Sequence, residues 1–444
     1  MSRITVIMPS LNVRRFIRPC MESVLKQSLE DIEILAVDAG STDGTLEILE
    51  EYAAGDDRLR IIYSDRRSYG HQVNLGIESA RSEYIGIVET DDIIAEDMYE
   101  ILYKKMVEDD LEYVKCGFSC FVETDSGLRW YQKGGMCVAD QSIVGKVISP
   151  ASMPELAIQD YYLWAGIYRR SLLEDIRLSE TPGAAFQDIG FIYQVLSRAV
   201  RAVYLDDDLY YYRQTRANSS SSKKGFRYLI DEYTNLSRFL SGKSDDWVHA
   251  YYARMFRQTV GRFQRMAVNG EYWTEVEDDI KILQGKLKQA ESEKEFSLER
   301  LSEDNRRTYY KLQENASAIF SDAYAALAPK IEKVQALLNN IGNKKTVIFG
   351  CGNYGKFTHV LLENHIPGQM CAFCDNDESL WNIEVQGIKV VSPEEAAQTY
   401  PEAKYVTANL RGWSGIHQQL LKLGIKEEQI YRYQPDIDIR LLSV

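Results

Sequence analysis

Tyr84-Ile85-Gly86-Ile87-Val88-Glu89-Thr90-Asp91-Asp92 is the stretch around which this chain is organised. A mostly apolar run passes directly into three carboxylates, which reads as a buried strand ending at a concentration of negative charge. A helix cap would use one such Asp, and a solvated turn two. The competing reading is a divalent cation held by carboxylate oxygens and shared with a diphosphate, because Mg²⁺ and Mn²⁺ favour oxygen ligands.

Upstream, residues 4–8 form a continuous apolar run stopped by Pro9-Ser10-Leu11-Asn12, a first strand and its loop. Phe16, Ile17, Cys20 and Val24 recur at helical spacing to about Gln27, and residues 33–37 make a second strand that ends at Asp38. The loop 38–44 supplies small and helix-capping residues before a helix over 45–52 that can bury Leu46 and Leu49. A strand at 60–63, a helix at 70–79 and the strand at 84–88 complete a β-α-β-α-β-α-β alternation. That rhythm predicts an α/β fold with a mostly parallel sheet and helices on both faces. Ligands of such sheets sit at the carboxyl ends of the strands, where Ser10, Asp38 and Asp91 fall.

The ordered motifs are Pro9-Ser10-x-Asn12, then Val37-Asp38-x-Gly40-Ser41-Thr42-Asp43-Gly44, then Gly70-x-x-x-Asn74-x-Gly76-Ile77, then Glu83-Tyr84-Ile85 running on to Thr90-Asp91-Asp92. Together they resemble the inverting GT-A-fold glycosyltransferases of family 2, over residues 1–215. The resemblance implies that Pro9, Ser10 and Asn12 line a nucleotide sugar, with Gly70 and Asn74 in the same site. It implies that Asp38 reads the base, usually uracil, and that Asp91 ligates the Mg²⁺ or Mn²⁺ bridging the diphosphate, with Glu89 and Asp92 beside it. Two positions depart from the commonest pattern: Glu89 stands where Asp is usual and Val73 where Arg is frequent; Ala39 also takes the place of a frequent second Asp, at a position that varies. Arg66, Arg67 or His71 could replace the missing cation.

Residues 98–106 read as a helix and 113–121 as a strand; Cys116 and Cys120 on it read as buried thiols, since structural zinc takes four N or S ligands. Residues 123–155 are where an acceptor-binding elaboration could lie. Further on, Gln187-Asp188 precedes Ile192, Val195, Leu196 and Ala199 at helical spacing, so Asp188 alone reads as an N-cap or first-turn acid. The resemblance implies more. The family has a Glu-Asp pair here whose Asp is the catalytic base, taking the proton of an acceptor hydroxyl, which makes Asp188 the expected base. Asp206-Asp207-Asp208 reads as a charged turn between two strands, and Trp164 with Tyr210, Tyr211 and Tyr212 as core aromatics or sugar-stacking ones.

The 444 residues suffice for two or three domains, with 45% hydrophobic and 27% charged residues and no apolar run long enough to span a bilayer. A net charge of −14 argues against general nucleic-acid binding. Arg213, Arg216, Lys223, Lys224 and Arg227 gather locally and read as a solvated loop and helix start before a substrate or membrane contact. Seven irregularly spaced cysteines point to reduced thiols, and no secretory signal opens the chain, so a cytoplasmic protein is expected, at most peripheral at the inner membrane face.

Residues 1–222 are therefore expected to form a GT-A domain, 223–340 a helical connector and 341–444 a Rossmann-like domain. In the connector, Trp247, Tyr251, Met255, Phe263 and Ala267 can share a stripe, as can Ile280, Leu283, Leu287 and Ala290; homodimerisation or membrane docking are its less favoured uses. The last segment carries Gly350-Cys351-Gly352-Asn353-Tyr354-Gly355 after a strand and before a helix, with Asp375 closing the next strand. This pattern, through Gly350, Gly352, Gly355 and Asp375, suits an NAD-like dinucleotide, and Cys371 and Cys374 beside it read as buried. The segment also resembles small Rossmann-like domains attached to bacterial sugar-modifying enzymes.

The expected function is metal-dependent, inverting transfer from a nucleotide sugar, a UDP-sugar foremost, to a glycan or lipid-linked acceptor in bacterial surface polysaccharide synthesis. A sugar-nucleotide nucleotidyltransferase should open with a basic, Gly-rich triphosphate loop, which residues 9–15 match poorly. A non-catalytic nucleotide-sugar-binding scaffold gains weight from Val73, Glu89 and Gln187.

Overall fold

The computed structural model describes residues 2–124, 127–213, 225–269, 273–409 and 412–434. They form two compact units. The first runs through Ser119, resumes at Gly134, continues to Tyr212 and takes in the helices up to Phe320; the second is built on residues from Ser321 onward together with Cys120–Lys133.

In the first unit β1 (Ile4–Ser10), β2 (Ile32–Asp38), β3 (Leu59–Tyr63) and β4 (Tyr84–Ile87) alternate with α1 (Arg14–Leu25), α2 (Thr45–Gly55) and α3 (Tyr69–Ser79). Every residue of β1, β2 and β4 is buried, as expected of parallel strands covered on both faces. Register brings the polar ends together. Ser10 pairs with Asp38, Asp38 with Tyr63, and Ile7 with Ile87, so the carboxylate run after β4 passes alongside the end of β1.

The chain continues with β5 (Ile93–Ile94), α4 (Met98–Glu108), β6 (Tyr113–Thr124), β7 (Gly127–Gly135), α5 (Leu156–Gln159), β8 (Gly166–Arg169), α6 (Gln187–Leu196) and β9 (Ala202–Arg213), of which residues 120–133 of β6 and β7 fall in the second unit. The sheet order is β3-β2-β1-β4-β8-β6-β9-β5, with β7 beside β6. Its first four strands are parallel, and the β4/β8, β6/β8 and β5/β9 pairs are antiparallel. The expected turn at Asp206–Asp208 is absent: β9 runs through it unbroken. The strand is anchored by buried Tyr204 and Tyr210 on either side, while Asp206 and Asp207 meet solvent and Asp208 accepts a hydrogen bond from the Ser119 hydroxyl. Three acids can therefore stand in mid-strand without breaking it.

Behind this sheet lies an ion pair that the sequence did not announce. Lys115 Nζ is 2.6 Å from Asp160 Oδ2, with both side chains essentially inaccessible, and Tyr204 Oη donates to the same carboxylate at 2.8 Å. A charged residue inside a strand is tolerated here because its partner and hydrogen bonds come with it.

Four helices follow: α7 (Gly225–Leu236), α8 (Asp245–Asn269), α9 (Glu277–Ser292) and α10 (Glu303–Ile341), the last interrupted at Asn315. Trp247, Tyr251, Met255 and Phe263 are buried, as are Ile280, Leu283, Leu287 and Ala290. Tyr193 Oη of α6 donates to Trp247 O at 2.9 Å, and Trp247 Nε1 to Ala151 O at 2.9 Å, so α8 is docked on the elements of the first unit's sheet. The side chain of Ala267, and Arg216, Lys223 and Lys224 of the basic cluster, lie outside the described residues.

The second unit contains β10 (Thr346–Phe349), α11 (Asn353–His365), β11 (Met370–Cys374), β12 (Glu384–Val385), β13 (Ile388–Val391), α12 (Pro393–Thr399), β14 (Lys404–Thr407), α13 (Trp413–Lys422) and β15 (Ile430–Arg432). Its sheet order is β12-β13-β11-β10-β14-β15, parallel except for β12/β13. Among the described residues, no helix is long and apolar enough to cross a membrane.

Candidate functional site

The loops after β1 and β2 are laced into one ledge. Asn12, held at φ 53°, accepts the Thr42 amide on its Oδ1 at 2.9 Å, and its own amide donates to Ser41 Oγ at 3.0 Å. Asp43 accepts the amides of Arg14 and Thr45, each at 3.0 Å. Asp38 is 1% exposed, and its Oδ1 accepts the amides of Gly40 and Ser41, each at 2.9 Å, while Oδ2 accepts Ser41 Oγ at 2.5 Å. The residue expected to read the base thus shapes the loop that would face it. Gln72, which carried no sequence signal, donates to Ser10 O at 2.8 Å and Val37 O at 2.6 Å, tying the ends of the two strands.

From α3, Gly70 and Asn74 hold the segment that leads to α6. Asn74 exchanges hydrogen bonds with the Leu178 backbone, at 3.0 and 2.9 Å, and donates to Glu180 Oε1 at 3.1 Å. A Cβ on Gly70 would stand 2.0 Å from Ser179 O, a backbone atom that cannot swing aside. Gly70→Ala is accordingly expected to destabilise the chain by about 1–3 kcal/mol, as overpacking of a rigid contact does; urea unfolding of the two proteins checks it. Val73 is fully buried, so no cation stands there. Arg66 pairs with Glu180 at 2.6 Å, His71 lies between Asp65 and Glu180, and Arg67 donates to Gly40 O at 3.1 Å on the ledge itself.

The three carboxylates after β4 take different directions. Thr90 Oγ1 donates to Pro9 O at 2.8 Å, fixing the turn to the end of β1. Asp92 is fully buried and accepts Tyr210 Oη at 2.8 Å; the same hydroxyl accepts the Glu89 amide at 3.1 Å. Tyr210 is itself buried and stacks on Trp164 with ring centroids 4.1 Å apart, which makes these aromatics a platform under the acidic turn. The Glu89 side chain accepts the hydroxyl of Tyr69, and Asp91 is half-buried in the turn. No group of three or more His, Cys, Asp and Glu is clustered for a metal among the described residues.

Asp188 is the second residue of α6, partly exposed, with Oδ1 accepting the Ile189 amide at 3.0 Å. Desolvation pushes its carboxyl up to about 6, against the pull of the Arg254 charge and the Ile189 amide. Tyr69 connects the two acidic places. Its phenol is raised first by burial, then by the charge of Glu89 and by that of Asp188, so one hydroxyl lies within electrostatic reach of both. Gln187, in place of the family's Glu, is 2% exposed and donates to Ser179 O at 2.8 Å, a structural role for its amide.

In the second unit Asp375 does not stand open. Its Oδ2 accepts the Cys351 amide at 3.1 Å, and its Oδ1 the Asp377 amide at 3.1 Å, so the acid closes the loop formed by Gly350, Gly352 and Gly355. Cys374 is buried as expected, whereas Cys371 is only partly buried.

This geometry is joined by sequence comparison. Residues 5–177 match the family described as "Glycosyl transferase family 2". The "Uncharacterized glycosyltransferase EpsJ" of Bacillus subtilis (strain 168) is 33% identical over 237 residues, covering 52% of this chain and 66% of that protein. The "Glycosyltransferase GlyG" of Streptococcus pneumoniae serotype 4 is 30% identical over 214 residues, covering 48% of this chain and 70% of that protein. The "Putative teichuronic acid biosynthesis glycosyltransferase TuaG" of Bacillus subtilis (strain 168) is 33% identical over 127 residues, or 28% of this chain and 50% of that protein. The match to EpsJ thus falls just short of two thirds of that protein's length. The α/β fold with its parallel strands is of the GT-A class, and the chain belongs to glycosyl transferase family 2.

Proposed function

We propose that the chain is a metal-dependent, inverting glycosyltransferase that moves a sugar from a nucleotide sugar, foremost a UDP-sugar, to a glycan or lipid-linked acceptor of a bacterial surface polysaccharide. In this reading residues 1–222 form the transferase domain, 223–340 its helical region and 341–444 a Rossmann-like domain. The printed name of TuaG, a teichuronic acid biosynthesis protein, supports the acceptor class. The observation that carries the reaction type is Asp188: a partly exposed carboxyl at a helix start, raised to about 6 and within electrostatic reach of the Tyr69 hydroxyl that binds Glu89.

Asp188 accepts the proton of the acceptor hydroxyl as that oxygen attacks the anomeric carbon, and the raised carboxyl makes it a stronger base than an ordinary Asp at neutral pH. Pro9, Ser10, Asn12, Gly70 and Asn74 shape the donor pocket, and the Asp38 loop faces the base. The residues present suit a divalent cation: Mg²⁺ in such sites is held by one or two carboxylates with substrate phosphates and water, so Asp91, half-buried in the turn, with Glu89 beside it, is a sufficient donor set. Asp92, held from below by Tyr210, sets the turn. The cation would offset charge growing on the departing nucleoside diphosphate.

A panel of UDP-sugars incubated with the full chain and Mn²⁺ or Mg²⁺ tests the reading. UDP release from at least one donor, abolished by EDTA, is the expected result. Binding of a UDP-sugar without release, with or without glycan acceptors, would instead identify a scaffold.

A further inference from the structure

We propose that Glu232 of α7 is a positioning residue for Asp188: the two carboxylates stand at the same first turn of α6, so the charge on Glu232 sets how strongly Asp188 takes a proton. The inference rests on the reading of Asp188 as the base. Glu232 is 4% exposed, a rare place for an acid, and its Oε2 accepts the Ser179 hydroxyl. Its Oε1 lies against Gly190, where a Cβ would approach it to 2.1 Å. Asp188 takes the amide of Ile189, the residue before that glycine. The glycine two residues after Asp188 is thus what admits a second acid to the same helix start, where unsatisfied amides favour anions.

Asp188 feels Arg254 of α8, Ile189 and Lys115 of β6, and lies within reach of Tyr69 and Tyr233. Arg254 is 3% exposed; its Nη1 donates to Ala157 O and Asp160 O, while Nε and Nη2, one edge of the fork, have no hydrogen-bond partner among the described residues. Glu232 feels burial first, then Ser179, the charge of Asp188 and the Gly190 amide, which together push it to about 7. Arg177, Glu180, Gln194, Asn235 and Arg238 line, with Glu232 and Gly190, a cavity of about 460 Å³. Asp188 therefore ionises first, and Glu232 ionises against the anion already present. Once both are charged, the affinity of Asp188 for a proton is higher than when Glu232 is neutral.

The test uses the full chain as wild type, Glu232→Gln and Asp188→Asn. For the UDP-sugar hydrolysed best, the wild-type pH profile should rise through two ionisations, near 6 and near 7. Glu232→Gln should keep the lower and lose the upper, lagging the wild type only above neutral pH. Ser179→Ala, which leaves Glu232 in place but removes a hydroxyl that lowers it, should move the upper ionisation to higher pH. A profile unchanged in shape in both variants would overturn the proposal, because a merely structural Glu232 alters stability and not the ionisations. Melting temperature against pH gives an arm that needs no turnover. Both carboxyls are raised in the folded chain, so their stabilisation is complete below their unfolded values and is lost as pH rises through about 6 and about 7. In Asp188→Asn the upper loss should move to lower pH; an unmoved upper loss would show the two acids uncoupled and overturn the pairing. Absence of hydrolysis in the wild type would count against the transferase reading, and the melting curves would still decide the pairing.

Discussion

Asp188→Asn is expected to lower sugar transfer about 10²–10⁴-fold, the range that a positioned general base supplies. Asparagine keeps the size of the side chain and its amide oxygen can still accept the Ile189 N–H, so the helix start survives while the proton acceptor does not. Donor affinity should change little, because Asp188 lies on α6 and not on the ledge or the acidic turn. The wild-type rate should also fall as pH drops below about 6, two pH units or so above where an unperturbed Asp would begin to protonate. Stability moves the other way. The raised carboxyl costs the folded chain stability once ionised, so Asp188→Asn should match the wild type at low pH and exceed it above about 6. Full transfer by this variant would remove Asp188 from the mechanism.

The parallel half of the fold was legible because its strands are buried on both faces and therefore appear as unbroken apolar runs, and because each ends in a polar loop at the same edge. The direction of a side chain at that edge was not. Asp38 and Asp92 look alike as letters, yet Asp38 turns into its own loop and Asp92 turns down to Tyr210. That choice depends on Tyr210, more than a hundred residues later, and no local pattern carries it. Glu232 was hidden for a related reason: an acid on an amphipathic helix ordinarily marks the solvated face, and only the absence of a Cβ at Gly190 lets it turn inward. The Asp206–Asp208 run misled in the opposite sense, since composition suggested a turn where cross-strand pairing and two buried tyrosines keep the chain extended.

Asp91→Ala should have the other large effect, and at a different step. If Asp91 is the principal protein ligand of the cation, its removal leaves Glu89, whose carboxylate already binds Tyr69, and Asp92, which is buried under the turn. Neither can take over without breaking a hydrogen bond that supports the site. Cation-dependent binding of UDP should weaken by at least about 100-fold, beyond what loss of a supporting partner causes, and transfer should fall with it. Calorimetric titration of UDP with and without Mn²⁺ separates this from the Asp188 variant. In Asp188→Asn the cation should still tighten UDP binding although turnover is lost; in Asp91→Ala the two titrations should coincide. If Mn²⁺ strengthened UDP binding equally in the wild type and in Asp91→Ala, the cation would have to be held elsewhere, and the acidic turn would be a donor-shaping element without a metal.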